Sequence, residues 1–383
     1  MEWKISLYDL TIGKEELLAV QRVMQSKWIS MGEKTKEFEQ VFAEKLGANL
    51  PGIAMNSGTA ALHTAMKILD IGPGDEVLVP SMTFVASANA VKMVGATPIF
   101  VDSVSELDFN MNVESIEKNI TSKTKAIIVV HYGGYSADMI NILAIAKNKG
   151  LKVVEDVAHG PFIKTKQGLL GTIGDIGCYS FFSTKNITTG EGGMLVTSNP
   201  DLHERARLFR SHSMSISSWD KYKGRPTTYD VSEVGMNYRT TDIASAIGIE
   251  QVKKYNSNQS KREYLVQLYR ENLSQISSLL VPFESSCISE SSHHIFPIIL
   301  PKEANRNNII NFLKEEGIQT SVHYPACHLF TLFRKEQGTK IGLCPVAEDI
   351  ANKELTLPLH PQMIQDDVHL VCELLEEALK EEV

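Results

Sequence analysis

The sequence predicts an α/β protein whose larger part is built on a mostly parallel sheet, with a smaller α+β domain behind it. Short apolar, β-branched runs alternate with helix-like segments through the first two-thirds of the chain. Most of these runs are apolar nearly throughout, as strands covered on both faces of a sheet should be. Strand–helix alternation is the mark of parallel pairing through crossover helices.

In chain order the strand candidates are Glu76–Pro80 (EVLVP), Pro98–Asp102 (PIFVD), Ala126–His131 (AIIVVH), Lys152–Asp156 (KVVED), Cys178–Phe182 (CYSFF) and Gly193–Thr197 (GMLVT). Helical patterns fall between them at Thr59–Leu69, Phe84–Val94 and Met139–Lys149, the last closed by Gly150 as a C-terminal stop. The polar stretch Ser211–Val234 interrupts the alternation, and a loop of that length inside a compact domain is usually functional or mobile. Two helical segments follow, Asp242–Tyr255 and Lys261–Gln275. Near Val281 a Ser-rich bend leads into the strand HHIFPIIL. This reading divides the chain into a large domain, 1–250, and a small C-terminal domain, 251–383.

Composition excludes several classes. The 383 residues are 43% hydrophobic and 22% charged, the proportions of a globular chain, and at about 100–200 residues per domain they allow two or three domains. The net charge of −8, with no run of Lys and Arg, disfavours nucleic acid as the main partner. Cys178, Cys287, Cys327, Cys344 and Cys372 are odd in number and widely spread, which reads as free thiols in a reducing compartment. No Cys/His cluster has zinc-ligand spacing. The opening MEWKISLYDLTIGKEELLAV lacks the pattern of a signal peptide, and no run of about 18 apolar residues suggests a membrane span. A cytoplasmic location is expected.

Three polar clusters fall at carboxyl ends of strands, where open α/β sheets bind ligands. Asn56-Ser57-Gly58-Thr59 precedes an Ala-rich helix, and its free N–H groups suit a phosphate, although a plain N-cap accounts for the same residues. Neither G-x-G-x-x-G nor G-x-x-x-x-G-K-[ST] is present. Glu155-Asp156 ends an apolar strand with two carboxylates on opposite faces. Such groups are costly to bury without a cationic partner, which a ligand can supply; satisfaction by nearby helix N-termini is the competing reading. Lys185 leaves an aromatic strand inside the loop Ser183-Thr184-Lys185-Asn186, followed by Thr188, Thr189, Glu191, Gly192 and Gly193. Desolvation there would depress its pKa and free its amine as a nucleophile. A phosphate anchor, a buried carboxylate and an activated lysine together meet the needs of pyridoxal 5′-phosphate: an amine for its aldehyde, an anion for its ring nitrogen and donors for its phosphate. Phe84, beyond EVLVP, could cover the ring.

The stretches NSGTAAL, EVLVPSMTFVASANAV, GATPIFVD, VVEDVAHG, GDIGCYSFFSTKNITTGEGGM, VGMNYRTTDIASAIG, VHYPACHLF and LTLPLHP resemble the DegT/DnrJ/EryC1/StrS family of sugar aminotransferases, in order and over nearly the whole chain. The resemblance implies the fold type I architecture, pyridoxal phosphate as cofactor, and a homodimer with active sites at the interface. It also implies transfer of an amino group, with glutamate as donor, to a nucleotide-linked keto sugar. By position, Lys185 matches the lysine that bonds the cofactor and shuttles the proton, and Asp156 the partner of its ring nitrogen. Gly58, Thr59 and Ser180 match phosphate-binding positions, Phe84 the stacking aromatic, and His159 a residue near the ring hydroxyl. Asn237, in Gly235-Met236-Asn237-Tyr238-Arg239, matches an asparagine that reaches the phosphate from the neighbouring subunit, while Arg239 has a less defined role. His323-Tyr324 resembles a segment lining the sugar side of the cleft, and a packed turn is the competing reading. Glu191 reads as fixing the glycine-rich loop, and His131 as shaping the pocket.

Rival readings are a sugar dehydratase of the same family, a non-catalytic regulatory protein that keeps the cofactor site, and an aldolase or decarboxylase acting on amino acids. Within the family, dehydratases carry histidine in place of the lysine, so Lys185 counts against the first. In the loop Ser211–Val234, Lys221, Lys223 and Arg225 are candidates for holding a nucleotide diphosphate. Reversing those three charges is expected to raise KM for the sugar nucleotide while sparing KM for glutamate; equal KM values in steady-state assays would refute the assignment.

Overall fold

The computed structural model describes residues 3–215, 224 and 228–382. Its centre is a seven-stranded sheet formed by β1 (Ile53–Met55), β2 (Glu76–Pro80), β3 (Thr97–Val101), β6 (Thr124–Val130), β7 (Lys152–Asp156), β8 (Ile176–Ser180) and β9 (Gly193–Val196), in the order β1-β9-β8-β7-β6-β2-β3. The pairs β2–β3, β2–β6, β6–β7 and β7–β8 are parallel, and β9 runs antiparallel to both β8 and β1. Six strands therefore point one way, and their carboxyl ends share one edge. A short antiparallel pair, β4 (Ser103–Ser105) and β5 (Asp108–Met111), lies outside this sheet.

The strands are buried on both faces, which is why the sequence writes them as continuous apolar runs. Helices α1 (Lys14–Ser26), α2 (Glu33–Leu46), α3 (Gly58–Ile68), α4 (Ala86–Met93), α5 (Val113–Asn119), α6 (Met139–Lys149) and α7 (Pro200–Phe209) belong to this part of the chain. Gly150 ends α6 at φ 68°, the left-handed cap that its position suggests. On one face Phe42 sits fully buried among Phe162, Tyr179 and Phe181, with ring centroids 4.8, 5.0 and 5.3 Å away. Aromatic pairs of this kind contribute about 0.5–1.5 kcal/mol each beyond area burial. They anchor β8 and the residue that follows it, just before the Lys185 loop.

The two helices expected at Asp242–Tyr255 and Lys261–Gln275 are one helix, α8 (Asp242–Leu273). The polar stretch between them reads as a break, yet its residues are satisfied without leaving the helix. Asn258 Nδ2 donates to Thr11 Oγ1 at 2.9 Å, and Gln259 Nε2 to the Ser291 carbonyl at 2.8 Å. Residue 250 thus lies inside a helix that two cores share. Its first half packs with Phe38 and Phe42, and its second half with the C-terminal elements. Those elements are β10 (Phe296–Ile299), α9 (Arg306–Glu315), α10 (Thr331–Gln337), α11 (Pro345–Lys353), β11 (Glu354–Leu357) and α12 (Gln365–Glu382), with β10 and β11 antiparallel. Ile5 joins the same core, pairing with Ile318. The strand expected across HHIFPIIL begins only at Phe296, because His293 takes φ 46° and the chain bends there. Among the described residues no helix is long and apolar enough to cross a membrane.

Gly193 shows how tightly the sheet meets α3: a Cβ there would lie 2.3 Å from the Ser57 carbonyl oxygen and 2.7 Å from the Gly58 nitrogen. These neighbours are backbone and cannot swing away. Gly193→Ala is expected to lower stability to urea by about 1–3 kcal/mol; an unchanged unfolding midpoint would contradict this packing.

Candidate active site

A cavity of about 500 Å³ opens at the carboxyl edge of the sheet and is closed from the other side by C-terminal residues. From the sheet it is lined by Gly58, Thr59, Phe84, Asp156, His159, Ser180 and Lys185, and from the opposite side by His294, His323, Tyr324 and Thr356. Seven of the sequence candidates thus meet in one place, joined by the pair His323 and Tyr324.

The floor at one end is the start of α3. Ser57 caps the helix, its Oγ accepting from Ala60 N at 3.1 Å. First-turn N–H groups have no partner inside a helix, and the dipole favours an anion there. A Cβ on Gly58 would come within 2.9 Å of Ser180 Cβ, so glycine is what lets the helix start approach the end of β8.

Asp156 ends β7, the middle strand. Ser87 Oγ donates to its Oδ2 at 2.8 Å and Ala158 N to its Oδ1 at 3.1 Å. Burial raises its pKa, opposed by these two hydrogen bonds and by the charge of Lys185. Lys185 sits in the turn after β8, with its backbone N–H bonded to the Phe182 carbonyl at 2.9 Å. The small hydroxyls around it tie the loop to itself: Ser183 Oγ donates to the Gly190 carbonyl at 3.1 Å and Thr189 Oγ1 to the Glu191 carbonyl at 2.7 Å. Burial pulls the Lys185 pKa down to about 8, against the attraction of Asp156. The two charges attract without meeting, since Asp156 bonds Ser87 and Ala158 while Lys185 bonds His294 at 3.3 Å.

His159 Nδ1 accepts from Gly133 N at 3.2 Å, and burial holds the imidazole neutral with its pKa well below the usual range. Its proton therefore sits on Nε2, 3.0 Å from the Tyr324 hydroxyl oxygen. Tyr324 is left with its own O–H to donate. His323 bonds Thr356 Oγ1 through Nδ1 at 2.9 Å, and its backbone N–H donates to Glu354 Oε2 at 2.8 Å. Phe84, 58% exposed, lines the cavity 6.1 Å from the Tyr324 ring.

The remaining candidates fall elsewhere, apart from Glu191 at the rim. Glu155 faces away from the cavity and accepts from Gly171, Ile173 and Gly174 N–H groups at 2.8, 2.8 and 2.6 Å, and from His131 Nε2 at 3.0 Å. It is a structural anchor satisfied by a loop and a histidine, neither the ligand nor the helix N-termini that the sequence left open. Asn237 is exposed and does not line this chain's cavity. Glu191 is exposed at the cavity rim, its carbonyl holding Thr189. Lys221, Lys223 and Arg225 lie outside the described residues. Sequence reasoning missed Ser87, 69 positions from the Asp156 it supports, and His294, read as part of a strand.

The donor set fits pyridoxal phosphate. The cavity holds an amine, a buried carboxylate lacking a cationic partner in direct contact, an anion-favouring helix start beside a serine, and an open aromatic ring. A mostly parallel α/β sheet carrying that set on its carboxyl edge is the fold type I architecture of pyridoxal-phosphate enzymes. The pattern of the DegT/DnrJ/EryC1/StrS aminotransferase family matches residues 10–376. The spore coat polysaccharide biosynthesis protein SpsC of Bacillus subtilis is 38% identical over 373 residues, 96% of this chain and 95% of that one. The GDP-perosamine synthase of Escherichia coli O157:H7 is 36% identical over 375 residues, 97% and 98% of the two chains. Among solved structures, the PLP-form of the sugar aminotransferase Spr1654 from Streptococcus pneumoniae superposes with a TM-score of 0.91 at 28% identity, covering 100% of both chains. The chain belongs to the DegT/DnrJ/EryC1/StrS aminotransferase family.

One group in the wall behind His323 sets a pH dependence. Glu354 is fully buried, and burial pushes its carboxyl up to about 8, above its ordinary 4.5. Between these values the unfolded chain has lost a proton that the folded chain keeps, so this group's contribution to stability falls as pH rises through that window. Glu354→Gln is expected to flatten the decline of apoprotein stability between about pH 5 and 8 in urea titrations; parallel profiles for the two proteins would show that Glu354 is ionised.

Proposed function

We propose that this protein transfers the amino group of glutamate to a nucleotide-linked keto sugar, using pyridoxal phosphate, and works as a homodimer. The observation that carries the reading is that Lys185 and Asp156 line one cavity with the start of α3. The relatives add support, since two of them are named for GDP-perosamine synthesis and for spore coat polysaccharide biosynthesis.

Gly58, Thr59 and Ser180 would hold the cofactor's phosphate, Asp156 its ring nitrogen, His159 its ring hydroxyl, and Phe84 its face. Asn237 would reach the phosphate of a second subunit. When bound, pyridoxal phosphate supplies an aldehyde that condenses with amines and a protonated ring that withdraws electrons. Asp156 keeps that ring nitrogen protonated, its charge held by Ser87 and Ala158. Lys185 Nζ, neutral for a substantial fraction of the time near its pKa of about 8, takes the proton from the donor's α-carbon. In the second half of the cycle it delivers a proton to the sugar carbon that receives nitrogen. His323 and Tyr324 face the sugar, and Lys221, Lys223 and Arg225 hold its diphosphate.

With pyridoxal phosphate the protein is expected to show a visible absorption band that glutamate bleaches, with release of 2-oxoglutarate, and that a nucleotide-linked keto sugar restores. Lys185→Ala is expected to lower turnover by about 10⁴-fold. Failure of glutamate to bleach the band, or wild-type turnover by Lys185→Ala, would overturn the proposal.

A further inference from the structure

Lys185 touches one residue that neither its motif nor its strand foretells. His294 lies 108 positions further on than Asn186, yet its Nδ1 is 3.0 Å from Asn186 Oδ1, and its Nε2 is 3.3 Å from Lys185 Nζ. The orientation of the Asn186 amide follows from its other end, because Nδ2 donates to the Ser292 carbonyl at 2.7 Å. Its oxygen is therefore the atom presented to His294, and an oxygen there requires a proton on Nδ1. In the neutral ring Nε2 is then a lone pair aimed at the lysine. Neutrality follows from burial, with the charge of Lys185 adding to it, and the two together hold the His294 pKa well below its ordinary value.

The backbone that carries the ring is fixed, and the ring has a neighbour on one face. The His294 backbone N–H donates to the Gly133 carbonyl at 3.0 Å. Arg262, on α8, donates from Nη1 to the carbonyls of His293 at 3.0 Å, His294 at 3.4 Å and Leu359 at 3.0 Å. The His159 ring lies against that of His294 with centroids 4.5 Å apart.

We propose that His294 is a positioning residue for the proposed amino transfer: its Nε2, fixed as an acceptor by Asn186, takes one N–H of Lys185 and so turns the lone pair of the amine toward the substrate carbon. A lysine on four flexible methylenes has many rotamers, and proton transfer to and from carbon needs one of them. This role rests on the assignment of Lys185 as the proton carrier, but the contact can be tested without any substrate. The groups that act electrostatically on the pair are Asp156 at the end of β7, His159 in the following turn, Arg262 on α8 and His323 from the C-terminal side. Of these, His159 and His323 have pKa values lowered by burial.

The first measurement is competitive acetylation of the apoprotein across pH, with the Lys185 peptide followed by mass spectrometry. The wild type is expected to titrate near pH 8. His294→Phe keeps the volume but loses the acceptor that holds the ammonium, so its midpoint is expected to drop by about one unit. His294→Gln, which offers an amide oxygen near the site of Nε2, is expected to restore the midpoint. The second measurement is turnover with glutamate and keto sugar. His294→Phe is expected to lose about 10²-fold in kcat with KM little changed, although more of its amine is neutral, and His294→Gln to recover part of the loss. A third uses the wild-type apoprotein alone: ¹⁵N spectra of the imidazoles, with His294 assigned by its absence in His294→Gln, are expected to show a proton on Nδ1 and none on Nε2. An unmoved acetylation midpoint in His294→Phe, or a proton on Nε2 of His294, would overturn the proposal. Loss of amino transfer in the wild type would instead refute the reading of the reaction and leave these two results standing.

Discussion

The arrangement depends on a buried carboxylate that has only neutral partners in contact. Asp156 ends the central strand, bonded by a serine hydroxyl and a backbone amide, and the charge of Lys185 attracts it without a direct contact. Removing a carboxylate from water without a paired cation is expensive, and such groups persist where something else uses the charge. The strand order gives Asp156 its setting, since β6 and β8 flank β7 and leave its carboxyl end facing the same space as the ends of β2 and β8. In the proposed reading, a cofactor with a protonated heterocyclic nitrogen would supply the missing positive charge.

Its neighbour in sequence has the opposite fate. Glu155 points to the other face, where three backbone N–H groups and His131 satisfy it completely. One strand thus ends in two acids, one closed off and one left open. The closed acid fastens the loop at residues 171–174 to the back of the sheet, and the open one meets the cavity.

Much of this was legible in the sequence. Strands buried on both faces announce themselves as apolar runs, and Glu76–Pro80 and Lys152–Asp156 match residue for residue. Strand alternation foretells that Glu155 and Asp156 part company, and the small-residue setting of Lys185 marks it as unusual. What stayed hidden was set by contacts distant in sequence. β1 is only three residues long, below the length at which a pattern appears. Ser87 and His294 gain meaning only once the fold carries them to Asp156 and Lys185. Asn258 and Gln259 look like a helix break until Thr11 and Ser291 occupy their amides.

Leu7 and Tyr8 line the cavity, and Leu7 is held by a hydrogen bond from its backbone N–H to Gln319 Oε1, across 312 positions of chain. Ile5 meets Ile318 beside it. On the ribosome, then, Leu7 must wait for a partner made 312 residues later before that wall can stand. Every strand of the seven-stranded sheet, from Ile53 to Val196, is translated well before Gln319. The wall therefore rests on a contact of very long sequence separation, the kind whose loop-closure entropy neighbouring elements do not meet.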